Sequence, residues 1–301
     1  MKPAGKTADG EEALPALGRP VIVGLLGSGI QLSRTPRMHE AEGARLGLRH
    51  VYRLLDTDQP SFANRSLSDI LWAVETAGFA GINVTYPYKQ AILPHLHELS
   101  DNATRLGAVN TVVFRNGHRL GHNTDLYGFA EGFRRNMQGV AMGSVLQMGA
   151  GGAGSAVARA LLQNGAGALT ICDIDAARAG QLAAQLAADF ADRRVAATAL
   201  EGLGDQAFDG LVNTTPVGMA KSPGLPLPAS LIKPAMWVAD VIYFPLETEL
   251  LATARRLGCR TLSGAPMAVF QAVRAFELFT GIAPDPVEME KTFNSFTAEG
   301  R

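Results

Sequence analysis

Glycines at Gly149, Gly151 and Gly154 have the spacing of a turn that binds a dinucleotide. The apolar run before them predicts a buried strand, the helical spacing after them predicts a helix, and a second apolar run ends at residue 171. In such a turn the first glycine permits the bend, the second lets the backbone approach a pyrophosphate, and the third lets the helix pack on the strand. An ordinary flexible loop, the alternative, would not need this strand–turn–helix–strand order of about 30 residues.

An acid at Asp173, 19 residues after Gly154, indicates which dinucleotide is bound. At the end of the second strand a carboxylate can accept hydrogen bonds from both ribose hydroxyls of NAD, and it repels the 2′-phosphate of NADP. Asp175 follows at a position where NADP would need a basic residue. Arg178 lies close by and could either contact the cofactor or pair with one of these acids. The pattern therefore favours NAD over NADP.

Composition excludes several classes of protein. The 301 residues are enough for two domains, and a net charge of −1 with 18% charged residues gives no basic field for nucleic acid. No apolar run has the length of a membrane span. We expect residues 1–19 to be a flexible tail and not a signal peptide. Cys172 and Cys259 lie in apolar segments, so we expect reduced thiols and a cytoplasmic protein.

The first part of the chain alternates strands and helices. Strands are predicted over 21–26, 51–55 and 79–85, with helices from about Pro36 and over 68–78. This order implies parallel pairing, and functional groups are then expected at the carboxyl ends of the strands. Ser33, Thr35, Thr85 and Lys89 fall at such ends. Helix capping is an alternative role for the first two hydroxyls.

An amide interrupts the next predicted strand. Residues 106–114 are predicted to form a strand with Asn110 in its middle, followed by a hairpin turn at Asn116-Gly117 and a partner strand over 118–122. A buried amide without partners costs about 1–3 kcal/mol, so Asn110 needs either a ligand hydroxyl or backbone groups. A helix from Asp125 then leads into the glycine-rich segment, and we place the domain boundary there.

The alternation continues to the end of the chain. Strands are predicted over 194–197, 210–212, 237–242 and 260–262, and helices over 177–190, 248–257, 266–281 and 287–293. The helix over 266–281 is long enough to cross back onto the first domain. We therefore expect an α/β protein with a tail (1–19), an N-terminal α/β substrate domain with a mainly parallel sheet (20–124 plus 264–301) and a Rossmann-type NAD-binding domain (125–263). The active site is expected in the cleft between the two domains.

Short motifs run in order through nearly all of the chain after the tail. They are Ser33-x-Thr35-Pro36-x-Met38-His39, Asn83-Val84-Thr85-x-Pro87-x-Lys89, Gly107-Ala108-Val109-Asn110-Thr111, Asn123-Thr124-Asp125-x-x-Gly128, Gly149-Ala150-Gly151-Gly152-Ala153, Asn213-Thr214-Thr215-Pro216-x-Gly218-Met219, Asp240-x-x-Tyr243-x-Pro245 and Gly264-x-x-Met267-x-x-x-Gln271. Each motif is weak alone, but the series is specific. The chain resembles the shikimate dehydrogenases, and more closely the NAD-using quinate/shikimate dehydrogenases of that family.

The resemblance implies that Lys89 and Asp125 form the catalytic pair. Oxidation of a secondary alcohol needs a group that takes the hydroxyl proton as hydride leaves for the nicotinamide. A lysine can do this if burial and neighbours lower its pKa, while an aspartate orients the lysine and hydrogen-bonds the substrate. The alternative is a surface salt bridge, which would contribute less than about 1 kcal/mol.

The resemblance also implies which residues bind the two ligands. Substrate contacts are expected from Ser33, Thr35, Asn83, Thr85, Asn110, Tyr243 and Gln271, with the hydroxyls of the first two facing the substrate carboxylate. Cofactor contacts are expected from Gly149, Ala150, Gly151, Gly152, Ala153, Asp173, Arg178, Thr214, Pro216, Met219, Val241, Gly264 and Met267. No metal site is expected, because His39 and His122 have no third ligand at metal spacing.

Two departures separate the chain from most biosynthetic shikimate dehydrogenases. Those enzymes carry two serines where this chain has Ser33 and Thr35, and a basic NADP motif where it has Asp173-Ile174-Asp175. Both changes resemble the quinate/shikimate branch, which is associated with catabolism of these acids. The expected activity is reversible, NAD-dependent oxidation of the C3 hydroxyl of shikimate and also of quinate. Alternatives are an NADP-dependent or aminoshikimate dehydrogenase and a nucleotide-sensing module without turnover. We expect a monomer or homodimer.

Overall fold

The computed structural model describes residues 20–204 and 206–298, which form two α/β units, each built on a six-stranded sheet. The predicted tail over 1–19 lies outside the described residues. Within those two ranges, no helix has the length and apolar character needed to cross a membrane.

The first sheet combines parallel and antiparallel strands. Its elements are β1 (Val21–Gly27), α1 (Thr35–Arg45), β2 (His50–Asp56), α2 (Leu67–Thr76), β3 (Gly81–Val84), α3 (Tyr88–Ala91), β4 (Glu98–Leu99), α4 (Asp101–Leu106), β5 (Thr111–Arg115) and β6 (His118–His122). The strand order is β2-β1-β3-β5-β6-β4. β1, β2 and β3 pair in parallel, as their alternation with helices predicts, whereas β5 is antiparallel to β3 and β6.

The strand predicted over 106–114 is confirmed only from Thr111, and the prediction is wrong over 106–110. A helix, α4, precedes the strand because Ser100 accepts a hydrogen bond from the amide of Ala103 at its start, and Gly107 ends it with a φ of 58°. β5 begins only at Thr111, so Asn110 lies in the turn before the strand. The hairpin prediction is confirmed, since Asn116 and Gly117 have φ values of 52° and 75° between β5 and β6.

The second sheet has the predicted Rossmann topology. Its elements are α5 (Asp125–Asn136), β7 (Val145–Met148), α6 (Gly152–Gln163), β8 (Ala168–Cys172), α7 (Ala176–Asp189), β9 (Arg194–Ala197), β10 (Gly210–Asn213), β11 (Trp237–Asp240), α8 (Glu249–Arg256) and β12 (Arg260–Leu262). The strands are all parallel in the order β12-β11-β10-β7-β8-β9. Numbered from β7, this is the order 3-2-1-4-5-6 of dinucleotide-binding sheets, which reverses between β7 and β10.

Two closing helices follow, α9 (Ala265–Thr280) and α10 (Pro286–Ala298). α9 packs against α1, β1 and β5 of the first unit and also against α5, as a helix that crosses back must. α10 packs against α1 and α9. The exact domain boundaries stay a prediction.

Glycines of α5 allow its close packing against α9. A Cβ atom at Gly128 would lie 2.7 Å from the carbonyl oxygen of Met267 and 2.9 Å from the amide nitrogen of Gln271. These are backbone atoms of α9, which cannot move aside as the end of a flexible side chain can. Gly128 therefore sets the distance between the helix that begins at Asp125 and the helix that carries Gln271.

We expect Gly128→Ala to lower the free energy of unfolding by about 1–3 kcal/mol, because overpacking outweighs the gain in helix propensity. Gly180→Ala in α7 is the matched control, since nothing lies within 4 Å of a Cβ atom there. That variant should be more stable than the wild type by up to about 1 kcal/mol. Urea unfolding measures both changes, and equal effects of the two variants would contradict the close packing of α5 on α9.

Two histidines are buried beside α9 without hydrogen bonds. His39 is fully buried and His50 is 8% exposed, and in the described chain no ring nitrogen of either has a hydrogen-bond partner. The His50 ring stacks on Phe276, with 5.2 Å between centroids. Desolvation lowers the pKa of His50 to about 4, and desolvation followed by the charge of His50 lowers the pKa of His39 well below its ordinary value. Both rings are therefore neutral at pH 7.

The buried His50 predicts a loss of stability in mild acid. The unfolded chain, with a histidine pKa of about 6.5, binds the proton before the folded chain does, so stability falls as the pH drops from about 6.5 towards 4. For His50 alone the loss reaches about 2 kcal/mol at pH 5. The variant His50→Phe keeps a stacked ring but cannot bind this proton. Urea unfolding at pH 7 and pH 5 should show that its free energy of unfolding falls by about 2 kcal/mol less than that of the wild type. The same loss in both proteins would argue against a neutral, buried His50.

Candidate active site

Lys89 and Asp125 form an ion pair at the carboxyl ends of the strands of the first sheet. Lys89 lies in α3, directly after β3, and Asp125 is the first residue of α5. Lys89 Nζ donates a hydrogen bond to Asp125 Oδ2 at 2.6 Å. The aspartate side chain is only 3% exposed, whereas that of the lysine is 25% exposed. The pair is therefore not a surface salt bridge: a buried carboxylate holds an amine that a ligand can reach.

Asn110 holds the second oxygen of the Asp125 carboxylate. Asn110 Nδ2 donates to Asp125 Oδ1 at 2.9 Å, and Asn110 Oδ1 accepts hydrogen bonds from the Thr124 amide at 2.8 Å and the Thr111 hydroxyl at 3.0 Å. The protein thus supplies the partners that this buried amide needs, through both backbone and side chains. Its contact with a ligand stays a prediction.

Asn83 extends the same network. Its Nδ2 donates to Thr111 Oγ1 at 2.9 Å, and its Oδ1 accepts a hydrogen bond from the Tyr52 hydroxyl at 2.8 Å. Tyr52 and Thr111 were not predicted from the sequence. Thr111 belongs to the same motif as Asn110, which was a signal for it. Tyr52 occupies an ordinary strand position, where tyrosine is common, and nothing in the local pattern distinguishes it.

Five predicted substrate-binding side chains keep unused hydrogen-bonding capacity. Within the described residues, the side-chain polar groups of four of them make no hydrogen bond, and Ser33 Oγ only accepts one, from the Thr35 amide at 3.3 Å. The four are Thr35, Thr85, Tyr243 and Gln271. All five residues are at least partly exposed. Unpaired polar groups that a ligand can reach are what recognition of a polyhydroxylated acid requires.

Helix capping does not explain the Thr35 hydroxyl. The helix α1 begins at Thr35, with Arg34 as its N-cap residue and no side-chain cap hydrogen bond. The alternative role of capping is therefore not observed for Thr35, and Ser33 contributes only its contact with the Thr35 amide.

Tyr243 brings the second unit to this site. It follows β11, yet the pKa of its phenol is raised first by desolvation and then by the charge of Asp125 at the start of α5. The residue is also 37% exposed. A side chain that protein atoms surround and water still reaches lines a cleft, which supports a site between the two units.

The glycine-rich turn after β7 has the predicted geometry. Gly149 has a φ of 99°, and a Cβ atom there would lie 2.7 Å from Thr214 Oγ1. At Gly154 a Cβ atom would collide with the carbonyl of Gly149, so the third glycine allows the helix to pack against the turn. At Gly151 nothing lies within 4 Å of a Cβ atom and φ is −74°, so the fold itself does not require glycine. A ligand that approaches the backbone would require it.

The start of α6 fits the phosphates of a dinucleotide. The helix begins at Gly152, and its N-cap residue is Gly151, which has no side chain to cap the first N–H groups. The first N–H groups of a helix lack partners within the helix and attract anions. Ala153 lies in this first turn, next to Gly152. These residues fit a bound dinucleotide.

Two buried side chains bind carbonyl groups of the glycine-rich turn from the interior of the protein. Gln147 Nε2 donates to the carbonyls of Gly149 and Gly154 at 2.8 and 2.9 Å, and the Thr214 hydroxyl contacts the carbonyls of Met148 and Gly149 at 2.8 and 3.0 Å. Gln147 was not predicted, although one amide within the buried strand β7 was a signal for it. Both contacts keep turn carbonyls inside the protein.

Asp173 lies beside the turn, as the spacing predicts. Its Oδ2 accepts a hydrogen bond from the Ala150 amide at 2.6 Å, and its Oδ1 accepts one from the Asp175 amide at 2.9 Å. A carboxylate has about four lone-pair positions, so about two remain for ribose hydroxyls. Of the two roles open to Arg178, the structure shows pairing with Asp175, at 3.2 Å.

The remaining predicted cofactor residues follow β10, β11 and β12. Pro216 and Met219 are exposed in the loop after β10, and Met267 lies on α9. A Cβ atom at Gly264 would collide with the carbonyl of Val241, so this contact requires glycine. All of these assignments to cofactor binding stay predictions.

The buried carboxylate of Asp240 connects the ends of β10 and β11 through hydrogen bonds. Asp240 accepts hydrogen bonds from Thr248 Oγ1 at 2.8 Å, the Ile242 amide at 3.0 Å and Asn213 Nδ2 at 3.1 Å. Burial raises the pKa of Asp240 to about 6, against the effect of these donors. The contacts fix the loops that carry Pro216, Met219 and Tyr243.

Comparison with known proteins agrees with this geometry. A family model described as the shikimate dehydrogenase substrate binding domain matches residues 25–112, and one described as the shikimate 5′-dehydrogenase C-terminal domain matches residues 264–292. A shikimate dehydrogenase (NADP(+)) from Streptomyces avermitilis is 51% identical over 89% of this chain and 93% of its own length. The chain belongs to the shikimate dehydrogenase family.

Members of the shikimate dehydrogenase family named for either cofactor are similar to this chain. A quinate/shikimate dehydrogenase (NAD(+)) from Corynebacterium efficiens is 48% identical over 91% of the chain and 98% of its own length. The solved structure of a quinate dehydrogenase from Corynebacterium glutamicum in complex with NAD has a TM-score of 0.86 and 46% identity, covering 92% of this chain and all of the other. The resemblance predicted from the motifs is confirmed. Identity alone does not decide between NAD and NADP.

Proposed function

We propose that this member of the shikimate dehydrogenase family reversibly oxidises the C3 hydroxyl of shikimate, and also of quinate, with NAD as hydride acceptor. The observation that carries the proposal is the ion pair of Lys89 and Asp125, in which a buried carboxylate holds a partly exposed amine. The first unit carries reachable hydroxyls at Ser33, Thr35 and Thr85, and the second unit has a turn that fits a dinucleotide.

Lys89 handles the proton of the reaction. A bound nicotinamide dinucleotide supplies the hydride acceptor, or the hydride donor in the reverse direction. In its neutral form Lys89 Nζ accepts the proton of the substrate hydroxyl during oxidation, and the resulting ammonium returns a proton to the carbonyl oxygen during reduction. Asp125, which Asn110 holds at its other oxygen, keeps the amine in place and accepts a hydrogen bond from the substrate.

The unpaired polar groups account for a ring acid as substrate. Ser33 and Thr35 offer hydroxyls at the start of α1, where they can donate hydrogen bonds to a carboxylate. Thr85 and Gln271 offer further groups towards ring hydroxyls. The methyl group of Thr35, where biosynthetic relatives have serine, distinguishes ring substituents by about 1–3 kcal/mol at most. We therefore assign both acids as substrates.

Asp173 supports NAD as the preferred cofactor. Its carboxylate is fixed by the Ala150 and Asp175 amides and retains acceptor positions for ribose hydroxyls. A 2′-phosphate at the same place would meet a negative charge. Arg178, the nearest basic residue in the sequence, contacts Asp175. A cytoplasmic location and a monomeric or homodimeric state stay predictions.

A matrix of kcat/KM values for shikimate and quinate with NAD and NADP tests the proposal. We expect turnover of both acids and a preference for NAD. A preference for NADP of about tenfold or more, equivalent to about 1.4 kcal/mol, would overturn the argument from Asp173. Turnover of neither acid with either cofactor would overturn the assigned activity.

We expect Lys89→Ala to lower kcat by about 10²–10⁴-fold, because the proton acceptor is lost, while binding of the ring acid is largely kept. Lys233→Ala is the control, since this lysine is exposed and, among the described residues, its Nζ donates only to the carbonyl of Ser230. Stopped-flow or steady-state absorbance of the reduced cofactor measures turnover, and calorimetry measures binding. Near-normal turnover by Lys89→Ala would show that another group accepts the proton and would overturn the assignment of Lys89.

We expect Asp173→Asn to lower the NAD/NADP ratio of kcat/KM by about tenfold, because the charge is removed while an oxygen remains to accept the Ala150 amide. Asp173→Ala should relax cofactor choice as well, with an added loss from the disturbed turn. Asp192→Asn removes an exposed charge in the turn after α7 and should leave the ratio unchanged. The same ratio in Asp173→Asn and the wild type would contradict the role of this carboxylate.

A further inference from the structure

Tyr52 forms a hydrogen bond with Asn83, one of the predicted substrate-binding residues, across the strand β1. Tyr52 lies on β2 opposite Val23 of β1, and Asn83 lies on β3 opposite Leu25 of β1. Residues two apart on a strand share a face of the sheet, so Tyr52 and Asn83 lie on the same face with β1 between them. Tyr52 is 5% exposed, and its hydroxyl donates to Asn83 Oδ1 at 2.8 Å.

The neighbours of the Asn83 amide determine its orientation. Asn83 Nδ2 lies 3.3 Å from the backbone carbonyl of Asn110, which can only accept a hydrogen bond. The nitrogen must therefore face this carbonyl, and the oxygen must face Tyr52. The phenol has one proton and donates it to that oxygen. A flipped amide would place Asn83 Oδ1 against the Asn110 carbonyl, two acceptors with no hydrogen between them, and the Tyr52 hydroxyl would accept from Asn83 instead of donating to it.

This orientation limits what Asn83 can offer to a ligand. Both hydrogens of Nδ2 are used, one by the Asn110 carbonyl and one by Thr111 Oγ1 at 2.9 Å. Oδ1 has one further lone pair, and the residue is partly exposed. Towards the site Asn83 can only accept a hydrogen bond. It can bind a hydroxyl group, but it cannot donate to a carboxylate or a carbonyl.

The influence of Tyr52 is strongest at Asn83 and weaker further along the network. The Thr111 hydroxyl, which accepts from Asn83, donates to Asn110 Oδ1, and Asn110 donates to Asp125. The Thr124 amide also donates to Asn110 Oδ1, at 2.8 Å, and fixes that amide independently. Loss of the Tyr52 hydroxyl would therefore disturb substrate binding at Asn83 more than the ion pair of Asp125.

We propose that Tyr52 is a positioning residue that holds Asn83 Oδ1 in place to accept a hydrogen bond from a ring hydroxyl of the substrate. The inference rests on the proposed function and extends it, because it assigns to Asn83 a ring hydroxyl and excludes the substrate carboxylate. Tyr52 itself does not touch the substrate in this assignment.

Tyr52→Phe tests the proposal, since it removes one oxygen and keeps the buried ring. We expect the KM and the calorimetric Kd for the ring acid to rise about five- to tenfold, the scale of one hydrogen bond. The kcat and the KM for the cofactor should change less than about twofold, because the ion pair keeps its own partners. Tyr127→Phe on the half-exposed face of α5 is the matched control and should leave all of these constants unchanged.

A double-mutant cycle separates positioning from general structural damage. If Tyr52 acts through Asn83, then Tyr52→Phe has no further effect on the ring-acid KM in an Asn83→Ala background. Damage to the sheet would raise the KM by the same factor in both backgrounds. The effect of Tyr52→Phe should also disappear with one member of a series of mono-deoxy ring acids, the one that lacks the hydroxyl bound by Asn83.

The outcomes distinguish this proposal from the proposed function. An active wild type whose ring-acid KM stays within twofold in Tyr52→Phe would overturn the role of Tyr52 alone. Equal effects of Tyr52→Phe in the wild-type and Asn83→Ala backgrounds would do the same. A wild type that turns over no ring acid would overturn the proposed function, and the role of Tyr52 with it.

Discussion

The site depends on burying the carboxylate of Asp125. A charged carboxylate removed from water is strongly destabilising unless donors surround it. Lys89 donates to one oxygen and Asn110 to the other, and the side chain is only 3% exposed. Three separate segments must meet for this to happen, the turn after β3, the turn before β5 and the start of α5. The first sheet brings them together because the carboxyl end of β3 lies next to the amino end of its antiparallel neighbour β5.

The helix that begins at Asp125 also connects the two units. α5 packs against α9, which covers the first sheet, and against α6, which begins at the glycine-rich turn. Gly128 lets the backbone of α9 approach closely, one turn from Asp125. Groups proposed to handle the substrate and groups that fit the dinucleotide are therefore held by neighbouring helices. Tyr243 from the second unit is close enough for the charge of Asp125 to affect the pKa of its phenol.

The second unit uses buried polar groups to shape a backbone surface. Gln147 and Thr214 bind carbonyls of the glycine-rich turn from inside, at the point where the strand order reverses between β7 and β10. With these carbonyls turned inward, N–H groups at the start of α6 remain available to an anion. Asp173 accepts one N–H of this turn and joins the end of β8 to it. The carboxylate that supports NAD thus also stabilises the turn.

The local sequence pattern was sufficient to predict most helices and strands, the hairpin at Asn116-Gly117 and the glycine turn. Apolar periodicity and a preference for positive φ depend on only a few neighbouring residues. It failed over 106–110, where an apolar segment resembled the start of a strand. The cap at Ser100 and the left-handed Gly107 instead formed a helix and a turn, and β5 begins only at Thr111. The order of the motifs along the chain was sufficient to predict the family. Asp240, which holds the loops after β10 and β11, belonged to one of these motifs, but its partners became visible only in the fold.

The sequence by itself determined the α/β architecture, the family and the residue types of the proposed catalytic pair, since these follow from short-range patterns and their order along the chain. Only the tertiary structure decided which polar groups are used within the protein and which remain available to a ligand. The side chains of Asn110 and Asn83 are bound into a network, whereas the side chains of Thr35 and Gln271 make no hydrogen bond within the described residues. The physical reason is that a hydrogen bond depends on distance and direction between groups far apart in sequence, such as Tyr52 and Asn83.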